Sequence, residues 1–152
     1  PEGSAERPPS LAEKPSPAPP SPPTRPAGPR VLVVDDHQPV RELVRAFLEA
    51  AGFETVIVPT AAEALKTLRE PVDLVISDLY MPGMDGLSLY REVVARHPRL
   101  HRRFLLMTGG LVTEAVQEFL GEQKGALLRK PFSRQQLLDA VRDVLGGSNG
   151  SR

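Results

Sequence analysis

The sequence predicts an α/β domain: a five-stranded parallel sheet in the order 2-1-3-4-5 between two layers of helices. Three observations carry that expectation. Short apolar runs alternate with stretches whose apolar residues recur every three or four positions. The runs are apolar at successive positions rather than alternate ones, as in strands buried on both faces. Two of them, Val31–Val34 and Val72–Ser77, end on carboxylates, Asp35-Asp36 and Asp78. That is where open α/β sheets place their chemistry.

The elements follow in order. Val31–Val34 is the first strand, and Val40, Leu43, Val44, Phe47, Leu48 and Ala51 mark a helix stopped by Gly52. Phe53–Val58 is the second strand, and Thr60 caps a helix carrying Ala61, Ala64, Leu65 and Leu68 ahead of Pro71. Val72–Ser77 is the third strand, followed by the turn Met81-Pro82-Gly83-Met84-Asp85-Gly86 and a helix over Leu87–Arg96. Phe104–Met107 is the fourth strand, and Val112, Ala115, Val116, Phe119 and Leu120 mark the next helix, with Gly121 near its end. Ala126–Arg129 is the last strand; Ser133 then caps a helix with Leu137, Leu138, Val141, Val144 and Leu145 inward. Five βα units with right-handed crossovers leave few topologies, of which the flavodoxin-like order is the commonest. It makes the ends of the first and third strands neighbours.

Around this domain, expected at 30–146, the composition changes. Residues 1–29 carry prolines at 1, 8, 9, 15, 17, 19, 20, 22, 23, 26 and 29. Such a stretch lacks amide donors and apolar area, and reads as a disordered, semi-stiff linker. Residues 147–152 read as a flexible tail. The chain opens on Pro1 rather than methionine, as expected of a fragment or a processed product.

Bulk properties exclude several classes. The 19 basic and 19 acidic residues cancel, so charge points to neither nucleic acid nor an anionic membrane. The stretch Arg96-His97-Pro98-Arg99-Leu100-His101-Arg102-Arg103 has no interleaved aromatics and reads as a solvated loop with solvent-facing histidines. The absence of cysteine removes disulfides, thiol catalysis and zinc–thiolate sites. No apolar run approaches the roughly 20 residues that span a bilayer.

Four strand ends converge on one rim: Asp35-Asp36, Asp78, Thr108 and Lys130. Gathered carboxylates repel one another unless a cation joins them. Magnesium is the natural occupant, a hard ion that takes oxygen ligands and favours sites with phosphate. Lys130 supplies a positive charge for a phosphoryl oxygen, and Thr108 a hydroxyl donor. These are the parts that phosphoryl transfer to a carboxylate requires. Each residue alone has a plainer reading: Asp35 or Asp36 as a helix cap ahead of Pro39, Asp78 as a turn former, Thr108 as a cap, Lys130 as a surface lysine. His37 reads as a polar rim residue, and Met81, Met84 and Met107 as packing.

The ordered set resembles the receiver domain of two-component signal transduction, the CheY-like module of response regulators and hybrid histidine kinases. It does so through Asp35-Asp36, Asp78 with the Met81–Gly86 turn, Thr108 and Lys130-Pro131-Phe132. Thr108 stands 30 positions after Asp78, and Lys130 22 after Thr108, both as in that family. The resemblance implies that Asp78 accepts a phosphoryl group from a phosphohistidine. It implies that Asp36, Asp78 and the backbone carbonyl of Tyr80 ligate magnesium, with Asp35 acting through water. Lys130 is then the phosphate's ion-pair partner, Thr108 swings to bond it, and the Lys130–Pro131 peptide is cis. The module catalyses only its own phosphorylation and dephosphorylation.

Two positions depart from receivers of the transcription-factor type. Leu127 stands where Tyr or Phe often serves as the threonine's rotating partner, and Gly109, followed by Gly110, stands where Ala is frequent. With the proline-rich lead-in, these resemble the C-terminal receivers of hybrid sensor histidine kinases in phosphorelays. The implied partners are a histidine kinase or a histidine phosphotransfer domain, with no nucleic acid and no membrane contact; any self-association is expected through the last helices. The implied location is cytoplasmic, or the cytoplasmic end of a membrane-bound sensor. A stand-alone response regulator is the alternative. An aspartyl-phosphate phosphatase of the haloacid dehalogenase kind is disfavoured because Tyr80 stands where its second aspartate belongs. A dinucleotide-binding domain is disfavoured because Asp35-Asp36-His37 replaces Gly-x-Gly-x-x-Gly.

Overall fold

The computed structural model describes residues 28–121 and 126–146. The expectations for the linker before residue 28 and for the tail at 147–152 lie outside the described residues. Five strands, β1 (Arg30–Val34), β2 (Glu54–Val58), β3 (Leu74–Asp78), β4 (Phe104–Thr108) and β5 (Ala126–Arg129), form one sheet. All neighbours are parallel, in the order β2-β1-β3-β4-β5. Among the described residues each strand is followed by an α-helix: α1 (Gln38–Ala50), α2 (Ala61–Thr67), α3 (Gly86–Arg96), α4 (Glu114–Gly121) and α5 (Arg134–Gly146), with a 3-10 turn at Pro98–Leu100.

The unbroken apolar runs are explained by the two-period of a strand. In β1, Leu32 and Val34 face a core with α2, α3 and α4, while Val31 and Val33 face a second core with α1 and α5. In β4, Leu106 joins the first and Leu105 and Met107 the second. Each fully buried Leu or Val contributes about 1.5–3 kcal/mol relative to exposure, so neither face can be left to solvent. Tyr90, Phe104 and Phe119 meet edge-to-face under α3 and α4, with centroids 4.8–6.4 Å apart.

The helix signals act as read. The Thr60 hydroxyl accepts from Glu63 N at 3.1 Å. Ser133 and Gln136 exchange bonds of 3.0 and 2.9 Å as a capping box. Gly52, just past α1, has φ +97°, a conformation that costs glycine nothing.

Several boundaries move. β3 runs Leu74–Asp78 rather than Val72–Ser77, because Asp73 bonds Arg30 in both directions (2.7 and 2.8 Å) below the ladder. At the other end, Asp78 stays in register with Met107. α4 starts at Glu114 rather than near Val112, where the Thr113 hydroxyl accepts from Val116 N. The expected solvated loop after α3 is anchored instead. Leu100 is fully buried, and Arg99 and Arg103 donate to the carbonyls of Val72 and Asp73 at 3.0 and 3.4 Å. His97 and His101, expected to face solvent, are half-buried there.

Candidate functional site

The carboxyl ends of β1, β3, β4 and β5 meet at one pocket. Asp35 follows β1, its amide bonded to the Val58 carbonyl at 3.2 Å and its side chain fully buried. Asp78 is the last residue of β3 and is 6 % exposed. Lys130 leaves β5 and lies between them: its Nζ is 2.7 Å from Asp78 Oδ1 and 3.2 Å from Asp35 Oδ2. The Lys130 amide donates to the Thr108 carbonyl at 2.8 Å, so the ends of β4 and β5 are joined. The Lys130–Pro131 peptide is cis.

Asp35 and Asp36 take different places. Asp35 turns inward and also accepts from the His37 amide at 2.9 Å. Asp36 stands at the rim with 29 % of its side chain exposed. His37, more exposed still, holds Nδ1 3.5 Å from Asp35 and 3.4 Å from Asp36. Neither aspartate caps α1, whose N-cap residue is His37, with no side-chain cap bond. Thr108 is buried and does not cap α4; its hydroxyl accepts from Gly110 N at 3.0 Å.

Charge in the pocket is unbalanced. Burial raises the Asp78 pKa above its usual 3.8, and the Asp35 and Asp36 charges add to that rise against the pull of Lys130. Burial works to lower the Lys130 pKa, but the bond to Asp78 and the carboxylate charges carry it upward. The lysine therefore stays protonated between the carboxylates of Asp35 and Asp78, with Asp36 at the rim. Among the described residues, Asp35, Asp36 and His37 offer ligand atoms within 4.8 Å of one another, and the carboxylate oxygens there suit a hard divalent cation.

That imbalance has a measurable sign. The folded-state pKa of Asp78 lies above its unfolded value, so the native state binds the extra proton. Its contribution to stability is lost as pH rises from about 3.8 through the raised value. Without metal at pH 7, Asp78→Asn is expected to melt higher than the parent, because the amide carries no charge to bury. The gap should close near pH 4 and shrink on adding magnesium. Circular dichroism melts in chelator across pH 4–7 measure it, and equal melting temperatures at all pH values would refute it.

The turn after β3 is held against the pocket. Gly86 N donates to the Leu79 carbonyl at 2.8 Å, and Asp85 caps α3 by accepting from Ser88 N at 2.8 Å. A Cβ on Gly86 would collide with the Asp78 carbonyl and lie 2.8 Å from Leu106 Cδ2. Gly86→Ala is therefore expected to cost about 1–3 kcal/mol, the range for overpacking, and to displace Asp78 itself. Urea denaturation would show it; an unchanged midpoint would contradict it. At Gly109 an added Cβ would meet only Lys130 Cβ, at an ordinary 3.7 Å.

Sequence reasoning named Asp35, Asp36, Asp78, Thr108 and Lys130, which the structure brings to one rim, but not Arg41, which donates to the Asp35 carbonyl at 2.7 Å. It did not anticipate two further features: the contact of Gly86 with the Asp78 carbonyl, and the side chain of Tyr80. The Tyr80 ring is half-exposed and its hydroxyl donates to the Leu111 carbonyl at 2.9 Å. A glycine closing the Met81–Gly86 turn was the only available signal for the first. Leu127, at the position of the expected switch, is half-buried and packs into the core under α2, α3 and α4.

Comparison with known proteins gives concordant results. The family described as "Response regulator receiver domain" matches residues 31–142. Response regulator protein FleR of Pseudomonas aeruginosa is 43 % identical over 125 residues, 80 % of this chain and 26 % of that protein. Sensor kinase CckA of Brucella abortus is 33 % identical over 118 residues, 76 % of this chain and 12 % of that protein. Among solved structures, chemotaxis protein CheY4 of Vibrio cholerae superposes with a TM-score of 0.70 at 29 % identity, covering 78 % of this chain and 100 % of that one. The chain spans only a minor part of the curated relatives it matches.

Proposed function

The chain belongs to the response regulator receiver domain family, and on that footing we propose that Asp78 accepts a phosphoryl group from a phosphohistidine in a magnesium-dependent reaction. The observation that carries this reading is Lys130, 2.7 Å from Asp78 and 3.2 Å from Asp35. The family is a phosphoacceptor module of two-component signalling, whose partners are histidine kinases and phosphotransfer proteins.

In the proposed transfer, a carboxylate oxygen of Asp78 forms a bond to phosphorus as the phosphorus–nitrogen bond of the donor breaks. The electron pair stays on the imidazole nitrogen, which takes up a proton. Asp36, Asp78 and the Tyr80 carbonyl, with Asp35 through water, would hold magnesium, which neutralises charge on the phosphoryl oxygens. Lys130 is already charged and exchanges part of its contact with Asp78 for the phosphoryl group. Thr108, on the last residue of β4, offers its hydroxyl hydrogen to the same group while still accepting from Gly110.

The test is incubation with magnesium and acetyl phosphate, or with a fluoroberyllate salt, followed by mass spectrometry or NMR. One labile adduct on Asp78 is expected. An adduct elsewhere, or none with a competent phosphodonor present, overturns the assignment.

The finer reading places this receiver at the C-terminal end of a hybrid histidine kinase. Leu127 and the Thr108-Gly109-Gly110 sequence support it, as does the likeness to a sensor kinase. The likeness to CheY4, matched over its whole length at 29 % identity, supports the alternative, a stand-alone response regulator. The mass of the native protein and its capacity to autophosphorylate from ATP separate the two. Among the described residues no helix is long and apolar enough to cross a membrane, and a cytoplasmic site of action is part of the proposal.

A further inference from the structure

Tyr80 is 49 % exposed, yet its hydroxyl and one ring edge both meet the loop that follows β4. Its hydroxyl donates to the Leu111 carbonyl at 2.9 Å. Its ring lies over Gly110, where an added Cβ would stand 3.4 Å from Tyr80 Cε2. The loop it touches, residues 109–112, is otherwise anchored by Val112, which packs on the core. Leu111 is 84 % exposed, and among the described residues two hydrogen bonds hold the loop: Gly110 N to Thr108 Oγ1 at 3.0 Å, and Tyr80 to Leu111. Segments with so few buried contacts are low in local stability, and their position follows the bonds that remain.

On the reading of Asp78 given above, we propose that the Tyr80 side chain is a positioning residue. It ties the loop 109–112 to the acceptor strand and carries a change at the pocket into α4. The two bonds form one linkage. Thr108 Oγ1 holds Gly110, the ring of Tyr80 rests on Gly110, and its hydroxyl holds the next residue. When the Thr108 side chain turns to an acyl phosphate, it draws the Gly110 amide with it. The Tyr80–Leu111 bond then sets whether the loop moves as a body. Val112 packs on the core and α4 begins at Glu114, so displacement of the loop reaches the first turn of that helix. Leu127 has no polar atom with which to make such a tie. Tyr80, two residues beyond Asp78, is placed to make it.

The test uses Tyr80→Phe, which removes the hydroxyl and keeps the ring, with magnesium and fluoroberyllate as the probe. Shift changes are compared at saturating fluoroberyllate for parent and variant, so that a change in affinity does not enter the comparison. The amide shift changes across Gly110–Phe119 on saturation are expected to fall to less than about half. Tyr80→Ala, which also removes the ring, should lose more of them. A second readout is spectroscopic. The chain has two tyrosines and no tryptophan, so in a Tyr90→Phe background tyrosine emission comes from Tyr80 alone. That emission should change as fluoroberyllate saturates the site. Parent-sized shift changes in Tyr80→Phe, or an unresponsive Tyr80 emission, overturn the tie while leaving Asp78 as acceptor. Failure of the parent to bind the probe overturns the Asp78 reading and this one with it.

Discussion

Asp78→Asn is expected to lose phosphoryl uptake by at least about 10³-fold, the scale on which removal of a nucleophile acts. The amide is nearly the same size, so the β3 ladder and the Gly86 contact survive, but it has no anionic oxygen to attack phosphorus. Lys130 keeps Asp35 as a partner at 3.2 Å, so the lysine is not stranded. The same substitution that raises metal-free stability thus removes the chemistry. This opposition separates a catalytic role from a structural one, since a merely structural carboxylate would lower stability when removed. Intact-mass measurement after exposure to magnesium and acetyl phosphate reads the outcome. Uptake at the parental rate would move the acceptor to another residue.

Lys130→Ala is expected to cost about 2–3 kcal/mol in metal-free protein, below the range for breaking a fully buried pair because 22 % of the lysine side chain reaches water. It leaves Asp35 and Asp78 facing each other with no cation between them. Urea denaturation in chelator measures the loss, and added magnesium should restore part of it. In function the effect differs from that of Asp78→Asn. Some phosphorylation persists, because the nucleophile remains, but the change around Val112–Leu120 is lost. Amide shifts that respond as fully as in the parent would refute that coupling.

The strands and helices were readable because each carries its own periodicity and punctuation. Thr60 and Ser133 cap where expected, and Gly52 ends α1 with the positive φ that its place demands. Boundaries shifted where long-range bonds intervened. Asp73 is spent on Arg30, 43 residues away, and no local pattern announces that. The stretch after α3 looked like a solvated loop because its charges are visible in sequence. The carbonyls of Val72 and Asp73 that hold two of its arginines are not.

By itself the amino-acid order determined the parallel sheet, its strand order, and which strand ends carry acid, base and hydroxyl. Apolar periodicity and right-handed crossovers leave few topologies that bury the runs, and the commonest of them is the one observed. Only the tertiary structure decided how those groups divide their work. Asp35 went inward to the lysine and Asp36 outward to the rim, although the two are adjacent in sequence. It also placed Gly86 against the Asp78 carbonyl and the Tyr80 hydroxyl on Leu111. Side-chain direction beyond a strand end depends on what packs from other elements, and a one-dimensional pattern does not carry that information.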